Sequence, residues 1–402
     1  MKRLSYVIVS YNRRETLLRT LARLPAVTPL APERWDIWVV DNCSTDGSAD
    51  AVEANFPDVK LIRNSENQGV CARNLATERC TGQYVIPLDD DSYPEDAETV
   101  AALLSHLDEN PEVGALVGRV VLPNGKFEAP ALPSVFITCA TCFRKAAMDR
   151  VGGFRPEFFR QAEEYDFSFR LWQSGFRVER REDIIFRHEK NAGSAGRDLA
   201  FVQRMDLRNN LIIAQRFLPG KLRQIYWDDW RLRYEALAWY EGNSHVIDQA
   251  VRSAMWFSWR ELLLGKRTPL KSKELEQIFM FQKQATAVGD WSRRNSVWRV
   301  VIGDMGKNIW ATYNACHASG LQIRSIADDT PAFAGLDYRG LPVLPVSRAL
   351  LGGSVDGVVI SNINPSQVEA RYKAIRRHYS GPVLKLWESP RFATMVRPGL
   401  AA

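Results

Sequence analysis

Long apolar runs are missing: no stretch of the 402 residues approaches the roughly 18 uninterrupted apolar residues of a membrane span. The opening Leu4-Ser5-Tyr6-Val7-Ile8-Val9-Ser10 is too short for a secretory signal and is cut off by Tyr11-Asn12-Arg13-Arg14. A cytoplasmic protein is expected, at most peripheral on the inner face of the membrane. Cysteine is scarce, six in all, which excludes a disulfide scaffold. Cys139-Ala140-Thr141-Cys142 has the spacing of a metal pair, but no second pair accompanies it, so both cysteines read as small core residues. Gly-x-Ser-x-Gly and Gly-x4-Gly-Lys-Ser/Thr are absent, which argues against a serine hydrolase and a P-loop enzyme. RNP, zinc-finger and helix-turn-helix patterns are absent too, so nucleic acid is not expected as a partner. The formal charge of +6 suits phosphate-bearing ligands or an anionic membrane surface.

What is present is a folded composition, 46% apolar and 25% charged, in a chain too long for one core. Short β-rich runs at 6–10, 37–41, 59–63, 84–88 and 114–121 alternate with amphipathic helices, the pattern of a mostly parallel sheet covered on both faces. Leu17, Leu18, Leu21 and Leu24 place one apolar helical stripe on that sheet. Val135 to Thr138 reads as a strand, 144–151 as a short helix, 161–174 as a longer one and 183–187 as a strand. Residues 198–290 read as helices in which Trp227, Trp230, Trp239, Trp256 and Trp259 interleave with arginines. Such helices can lie in a membrane interface; the favoured reading is a packing layer with tryptophans inside and arginines in water. Strand–helix alternation restarts at Val297. The expected organisation is therefore an α/β domain over 1–220, a helical segment over 221–295 and a smaller Rossmann-like α/β domain over 296–402, joined through Asp290 to Asn295.

Chemistry concentrates in Pro87-Leu88-Asp89-Asp90-Asp91-Ser92, a carboxylate cluster at the carboxyl end of an apolar strand, the edge where open α/β sheets bind ligands. Crowded carboxylates repel unless a cation lies between them, and Mg²⁺ or Mn²⁺ prefers such oxygens while bridging to phosphates. A solvated turn before a helix is the plainer alternative. Asp41 ends another apolar strand and emerges at the same edge. Arg73, on the helix opened by Gly69, is either a surface ion-pair partner or a guanidinium near the mouth of a phosphate site.

Taken together, Val7-Ile8-Val9-Ser10-Tyr11-Asn12, Trp38-Val39-Val40-Asp41-Asn42-Cys43-Ser44-Thr45-Asp46-Gly47-Ser48, Asn67-Gln68-Gly69-Val70-Cys71-Ala72-Arg73-Asn74 and the aspartate cluster resemble the successive blocks of the family 2 glycosyltransferases of GT-A fold, over residues 4 to about 217. The resemblance implies transfer of a sugar, with inversion, from a nucleoside-diphosphate donor to a hydroxyl of a glycan or lipid-linked acceptor. It implies that Ser10 and Asp41 bound the base pocket, with Asp41 accepting from a uracil or thymine imide. It further implies Arg73 at the base or phosphates, Asp89 and Asp90 on the donor, and Asp91 on a divalent cation. His188, after the strand at 183–187, would complete the metal or meet the diphosphate, with the small-residue loop Asn191 to Ser194 closing over the donor.

The family's acceptor-side Glu-Asp-x-Asp block with its following Arg corresponds here to Glu163-Glu164-Tyr165-Asp166 and Arg170. Glu164 aligns with the general base, although it is Glu where the family has Asp. Glu163 could serve instead or stabilise the helix N-terminus, and Asp166 is spaced to pair with Arg170. In the C-terminal part, Gly303 and Gly306 open a helix as a nucleotide loop would, without the third glycine. The rival readings are a sugar-phosphate nucleotidyltransferase, for which Tyr11-Asn12-Arg13-Arg14 lacks glycine, and a sugar-nucleotide-binding scaffold without turnover.

Overall fold

The computed structural model describes residues 2–190, 198–351, 354–362 and 364–388. They divide into two compact units, one built on residues 2–190 without 130–132, the other on 198–388 with 130–132. The loop expected to close over the donor, Asn191 to Ser194, lies outside the described residues.

In the first unit the strands β1 (Leu4–Ser10), β2 (Trp35–Asp41), β3 (Lys60–Arg63), β4 (Tyr84–Asp89), β5 (Ser92–Pro94), β6 (Val113–Val121), β7 (Phe127–Glu128), β8 (Thr141–Arg144) and β9 (Arg177–His188) form one sheet. Their order is β3-β2-β1-β4-β8-β6-β9-β5, with β7 on β6. The helices are α1 (Arg14–Arg23), α2 (Ser48–Asn55), α3 (Arg73–Thr77), α4 (Ala97–Glu109), α5 (Lys145–Val151) and α6 (Glu163–Gln173). β1 pairs in parallel with β2 and β4, and its near-continuous burial is what a strand covered on both faces requires. Leu17, Leu21 and Leu24 of the α1 region are fully buried, as their spacing predicts.

Beyond β4 the sheet departs from the mostly parallel expectation, because β8 runs antiparallel to both β4 and β6, and β5 antiparallel to β9. Val135 to Thr138 is not a strand; the strand comes later, at β8. Phe136 is apolar because it packs edge-on to Phe143, Phe154 and Phe167, not because it pairs in a ladder.

The second unit begins with α7 (Leu199–Phe217), α8 (Gly220–Tyr240), α9 (His245–Leu263), α10 (Ser272–Phe279) and α11 (Phe281–Asn295). β10 (Arg299–Ile302), α12 (Ile309–Ala318), β11 (Gln322–Ala327), β12 (Asp337–Tyr338), β13 (Leu341–Leu344), α13 (Val346–Ala349), β14 (Gly357–Ile360), α14 (Pro365–Arg376) and β15 (Val383–Lys385) follow. The sheet order is β12-β13-β11-β10-β14-β15, parallel except for β12 on β13.

The observed divisions differ from 220 and 295. α7 groups with the second unit, and the helical stretch shares a core with the second sheet: Val288 and Trp291 of α11 pack with Val300 and Val359, and Ala236 of α8 with Ile302 and Ile326. The expected connector at 290–295 is the last turn of α11. Nor are the tryptophans uniformly inside. Trp230 is buried, whereas Trp239, Trp256 and Trp259 are 78, 60 and 61% exposed. Among the described residues no helix is long and apolar enough to cross a membrane.

Candidate active site

The site gathers at the carboxyl ends of β1, β2 and β4, where Ser10, Asp41 and Asp89 end their strands. The loops there are stitched by asparagines of the sequence motifs. Asn12 Oδ1 accepts from Thr45 N (2.7 Å). Asn42 donates to Asn67 Oδ1 (2.9 Å) and accepts from Gln68 N (3.1 Å). Asn12 and Cys43 hold positive φ, 52° and 70°, a conformation costing non-glycine residues about 1–3 kcal/mol and repaid by these bonds.

Asp41 is buried; its Oδ2 accepts from Ser44 N (3.1 Å) while Oδ1 has no partner. A buried acceptor without a bond costs about 1–3 kcal/mol, so this oxygen is suited to a ligand donor. Arg73 is 3% exposed, which removes the surface-pair reading. Its guanidinium donates to Asp89 Oδ1 (2.5 Å) and Leu88 O (3.3 Å), and its Nε is without a partner.

The three aspartates have distinct surroundings. Asp90 accepts from Ser10 Oγ (3.0 Å) and faces Arg13 Nη1 at 3.2 Å. Burial pushes its carboxyl up to about 7 against the pull of Arg13, and the neighbouring Asp91 and Asp89 add to the rise. Asp91 meets Arg13 Nη2 at 2.7 Å and His188 Nε2 at 3.0 Å. Burial alone would raise Asp91, but the hydrogen bond and charge of His188, with Arg13, hold it down at about 2. His188 also has Nε2 3.7 Å from Asp89 Oδ2, and its Nδ1 lies 3.1 Å from Glu128 Oε2 and 3.6 Å from Cys139 Sγ. Burial opposes its charge, yet Cys139, Asp91 and Glu128 raise it to about 12.

Two carboxylate oxygens and an imidazole nitrogen thus converge, a donor set that fits a hard divalent ion once the His188 proton leaves. Asp89, Cys139 and His188 also offer ligand atoms within 4.8 Å of one another. Cys139 was read from sequence as a core residue only; it is buried, and its place beside His188 is tertiary. Arg13 and Glu128 were likewise not singled out. For Arg13 the signal was adjacency to the first motif; for Cys139 it was the Cys-x-x-Cys spacing, which points to Cys142 and not to His188; for Glu128 no sequence signal existed.

Across from the aspartates sits the N-terminus of α6. Gln161 and Ala162 both take positive φ, 73° and 60°, and start the helix on Glu163 and Glu164. Glu163 is buried with Oε2 unpartnered, and burial with the charge of Glu164 raises its carboxyl well above the usual range. Glu164 is less buried; its Oε1 lies 3.4 Å from Thr138 Oγ1, and burial, offset in part by Thr138, raises it to about 7. Asp166 holds Arg170 (Nε–Oδ2 2.7 Å), and Arg170 also donates to Gly153 O (2.8 Å), so this pair fastens α6 to the preceding loop.

That loop is locked to the donor-side motifs. Asn74 Oδ1 accepts from Phe154 N (2.9 Å) and its Nδ2 donates to Phe154 O (2.6 Å). Val70 N donates to Phe159 O (3.0 Å). Gly69, at φ 62°, passes so close that a Cβ would lie 2.0 Å from Phe159 O. The blocks read as donor-side therefore also set the position of the acid pair.

The Gly303–Gly306 loop is differently arranged. Its amides are taken by protein carboxylates: Gly306 N donates to Asp304 Oδ1 (3.0 Å) and Met305 N to Asp328 Oδ2 (2.8 Å). Asp304 is buried on Ser361 Oγ (2.6 Å). A carboxylate occupies the place where a diphosphate cradle would present N–H groups.

Residues 5–165 match the family model described as glycosyl transferase family 2. The putative teichuronic acid biosynthesis glycosyltransferase TuaG of Bacillus subtilis (strain 168) is 35% identical over 97 residues, which is 23% of this chain and 37% of that protein. The chain thus spans little more than a third of this relative's length. Among solved structures, the mannosyltransferase PcManGT from Pyrobaculum calidifontis, in complex with GDP-Man and Mn²⁺, aligns with a TM-score of 0.45 at 16% identity, over 65% of this chain and 79% of that one. S. aureus TarS in complex with UDP aligns at 0.43 and 20% identity, over 59% and 72%.

Proposed function

We propose that this chain, whose residues 5–165 match the model for glycosyl transferase family 2, moves a sugar, with inversion, from a nucleoside diphosphate to a hydroxyl of a glycan or lipid-linked acceptor in cell-envelope polysaccharide synthesis. The observation that carries the reading is the grouping, at one sheet edge, of a buried unpartnered acceptor at Asp41, the Asp89–Asp90–Asp91 cluster with His188, and a carboxyl raised to about 7 at Glu164.

Asp41 Oδ1 accepts from the imide of uracil or thymine, with Ser10 beside it, while Arg73 fixes Asp89 toward the donor. Asp91 and His188, with Asp89 next to them, would hold Mg²⁺ or Mn²⁺, which when bound supplies neutralisation of the leaving diphosphate. Glu164 takes the proton of the acceptor hydroxyl as its oxygen bonds to the anomeric carbon. The bond from that carbon to the diphosphate breaks, and the nucleoside diphosphate leaves with the electron pair. A carboxyl poised near 7 exchanges a proton readily at neutral pH.

The test is a thermal-shift panel of nucleoside diphosphates with and without Mn²⁺, since a ligand selective for the folded state raises stability by mass action. UDP or dTDP should raise the midpoint only with Mn²⁺. No shift with any nucleotide in either condition would remove the reading.

A further inference from the structure

α9 carries two faces that do different things. Val246, Ile247, Ala250, Ala254, Phe257 and Glu261 are buried, and the α7 side of that face includes the Arg216–Glu261 pair, Nε to Oε2 2.9 Å. At helical spacing on the opposite side stand Met255, Trp256, Trp259, Leu262 and Leu263, between 57 and 65% exposed. Positions i, i+1, i+4, i+7 and i+8 form one stripe. Two of its members are tryptophans, and large apolar side chains in one exposed line mark an interaction surface and not scattered exposure.

The charge around the stripe selects its occupant. Arg252 lies on the same line one turn before Met255, Arg260 flanks it with its guanidinium 5.8 Å from the Trp256 ring centroid, and exposed Lys266 follows the helix. None of these three has a carboxylate partner among the described residues. Between Arg252 and Lys273 the chain has a single acid, Glu261, and it is turned inward on Arg216. Asp248 is the one acid on the outer line, a turn before Arg252. A second copy of the chain docking through the same patch would set cation against cation, which costs affinity. An anionic lipid surface instead takes tryptophan and leucine at the headgroup boundary and pairs with the flanking cations.

We propose that the outer face of α9 is a docking surface for an anionic membrane, on which Trp256 and Trp259 insert at the interface while Arg252, Arg260 and Lys266 contact lipid phosphates. This surface goes beyond the transferase reading and stands without it.

The experiment is co-sedimentation of the full chain with vesicles of phosphatidylcholine alone or mixed with phosphatidylglycerol, for the wild type, W256S/W259S and R252E/R260E. The wild type should sediment with the anionic vesicles, with a blue-shifted tryptophan emission, and remain in the supernatant with the neutral ones. Each double variant should bind the anionic vesicles at least about tenfold more weakly. These side chains are exposed, so the variants should keep the wild-type melting midpoint, which is measured alongside. Equal sedimentation of the variants, or no binding to anionic vesicles, overturns the proposal. So does a concentration-dependent dimer that W256S/W259S abolishes, which would assign the stripe to a contact between copies.

Discussion

His188 Nε2 lies 3.0 Å from Asp91 Oδ1 although the two are almost a hundred residues apart. The register of β5 against β9 brings them together, since it pairs Ser92 with His188 and so sets the end of the aspartate cluster beside the imidazole. The cation site proposed here would depend on two strand ends and not on one loop, and that relationship underlies the first expectation.

Asp91→Asn removes the charge that faces both His188 and Arg13. Mn²⁺-dependent UDP binding should weaken by at least about tenfold, the usual effect of removing a coordinating group or its support, and a chelator should mimic it on the wild type. Isothermal titration with and without Mn²⁺ decides; unchanged affinity with the metal present would remove Asp91 from the metal site.

Gly69→Ala should damage turnover more than folding. Its φ of 62° disfavours a side chain, and the new Cβ would meet Phe159 O at 2.0 Å, so the loop leading to Glu163 and Glu164 must move. A displacement of about 1 Å can cost on the order of a hundredfold in rate. Transfer rate against melting midpoint distinguishes this from global loss of stability.

Trp291→Ala tests the integration of the second unit. Trp291 is buried with Val297, Val300 and Val359, and its ring fills the space beside Gly357. Deleting a large buried aromatic costs about 3–5 kcal/mol, and a chain starting at residue 296 should not fold because it lacks α11. Denaturant titration of the variant and solubility of the truncated chain are the checks.

The pH response follows from Glu164, whose carboxyl burial raises to about 7. Transfer should fall as pH drops through about 7, because the protonated acid cannot accept the acceptor proton. For stability, a raised folded value means that the folded state holds the proton more tightly. The cost of ionising Glu164 therefore sets in as pH rises from the ordinary 4.5 toward 7 and is full above it. Glu164→Gln should accordingly raise the melting midpoint at about pH 8 more than at about pH 5; the reverse order would contradict the assignment of its surroundings.

Much of this was legible in the sequence, and the reasons are local. β1, β2 and β4 read correctly because strands buried on both faces are apolar throughout, and the aspartates at their ends were visible as polar interruptions. Spacing placed Asp166 four before Arg170, and the pair is formed. What did not read were tertiary contacts: Glu128 reaches His188 only because β6, β7 and β9 pair across the sheet, and Cys139 reaches it from the turn just before β8. The motif asparagines were legible as motif but not as the stitching between loops. Phe136 misled as a strand residue because aromatic packing and ladder pairing leave the same apolar trace, and the outward Trp256 and Trp259 misled because tryptophan spacing alone does not say which face is covered.

The most direct measurement is transfer rate and donor affinity in the same preparation for Glu164→Gln beside Glu163→Gln. Glutamine keeps size and hydrogen bonding but cannot take a proton. Turnover of Glu164→Gln should fall by about a hundredfold to ten-thousandfold with nucleotide affinity unchanged, and Glu163→Gln should retain most of its activity. If instead Glu163→Gln is inactive while Glu164→Gln turns over near the wild-type rate, Glu164 is not the base.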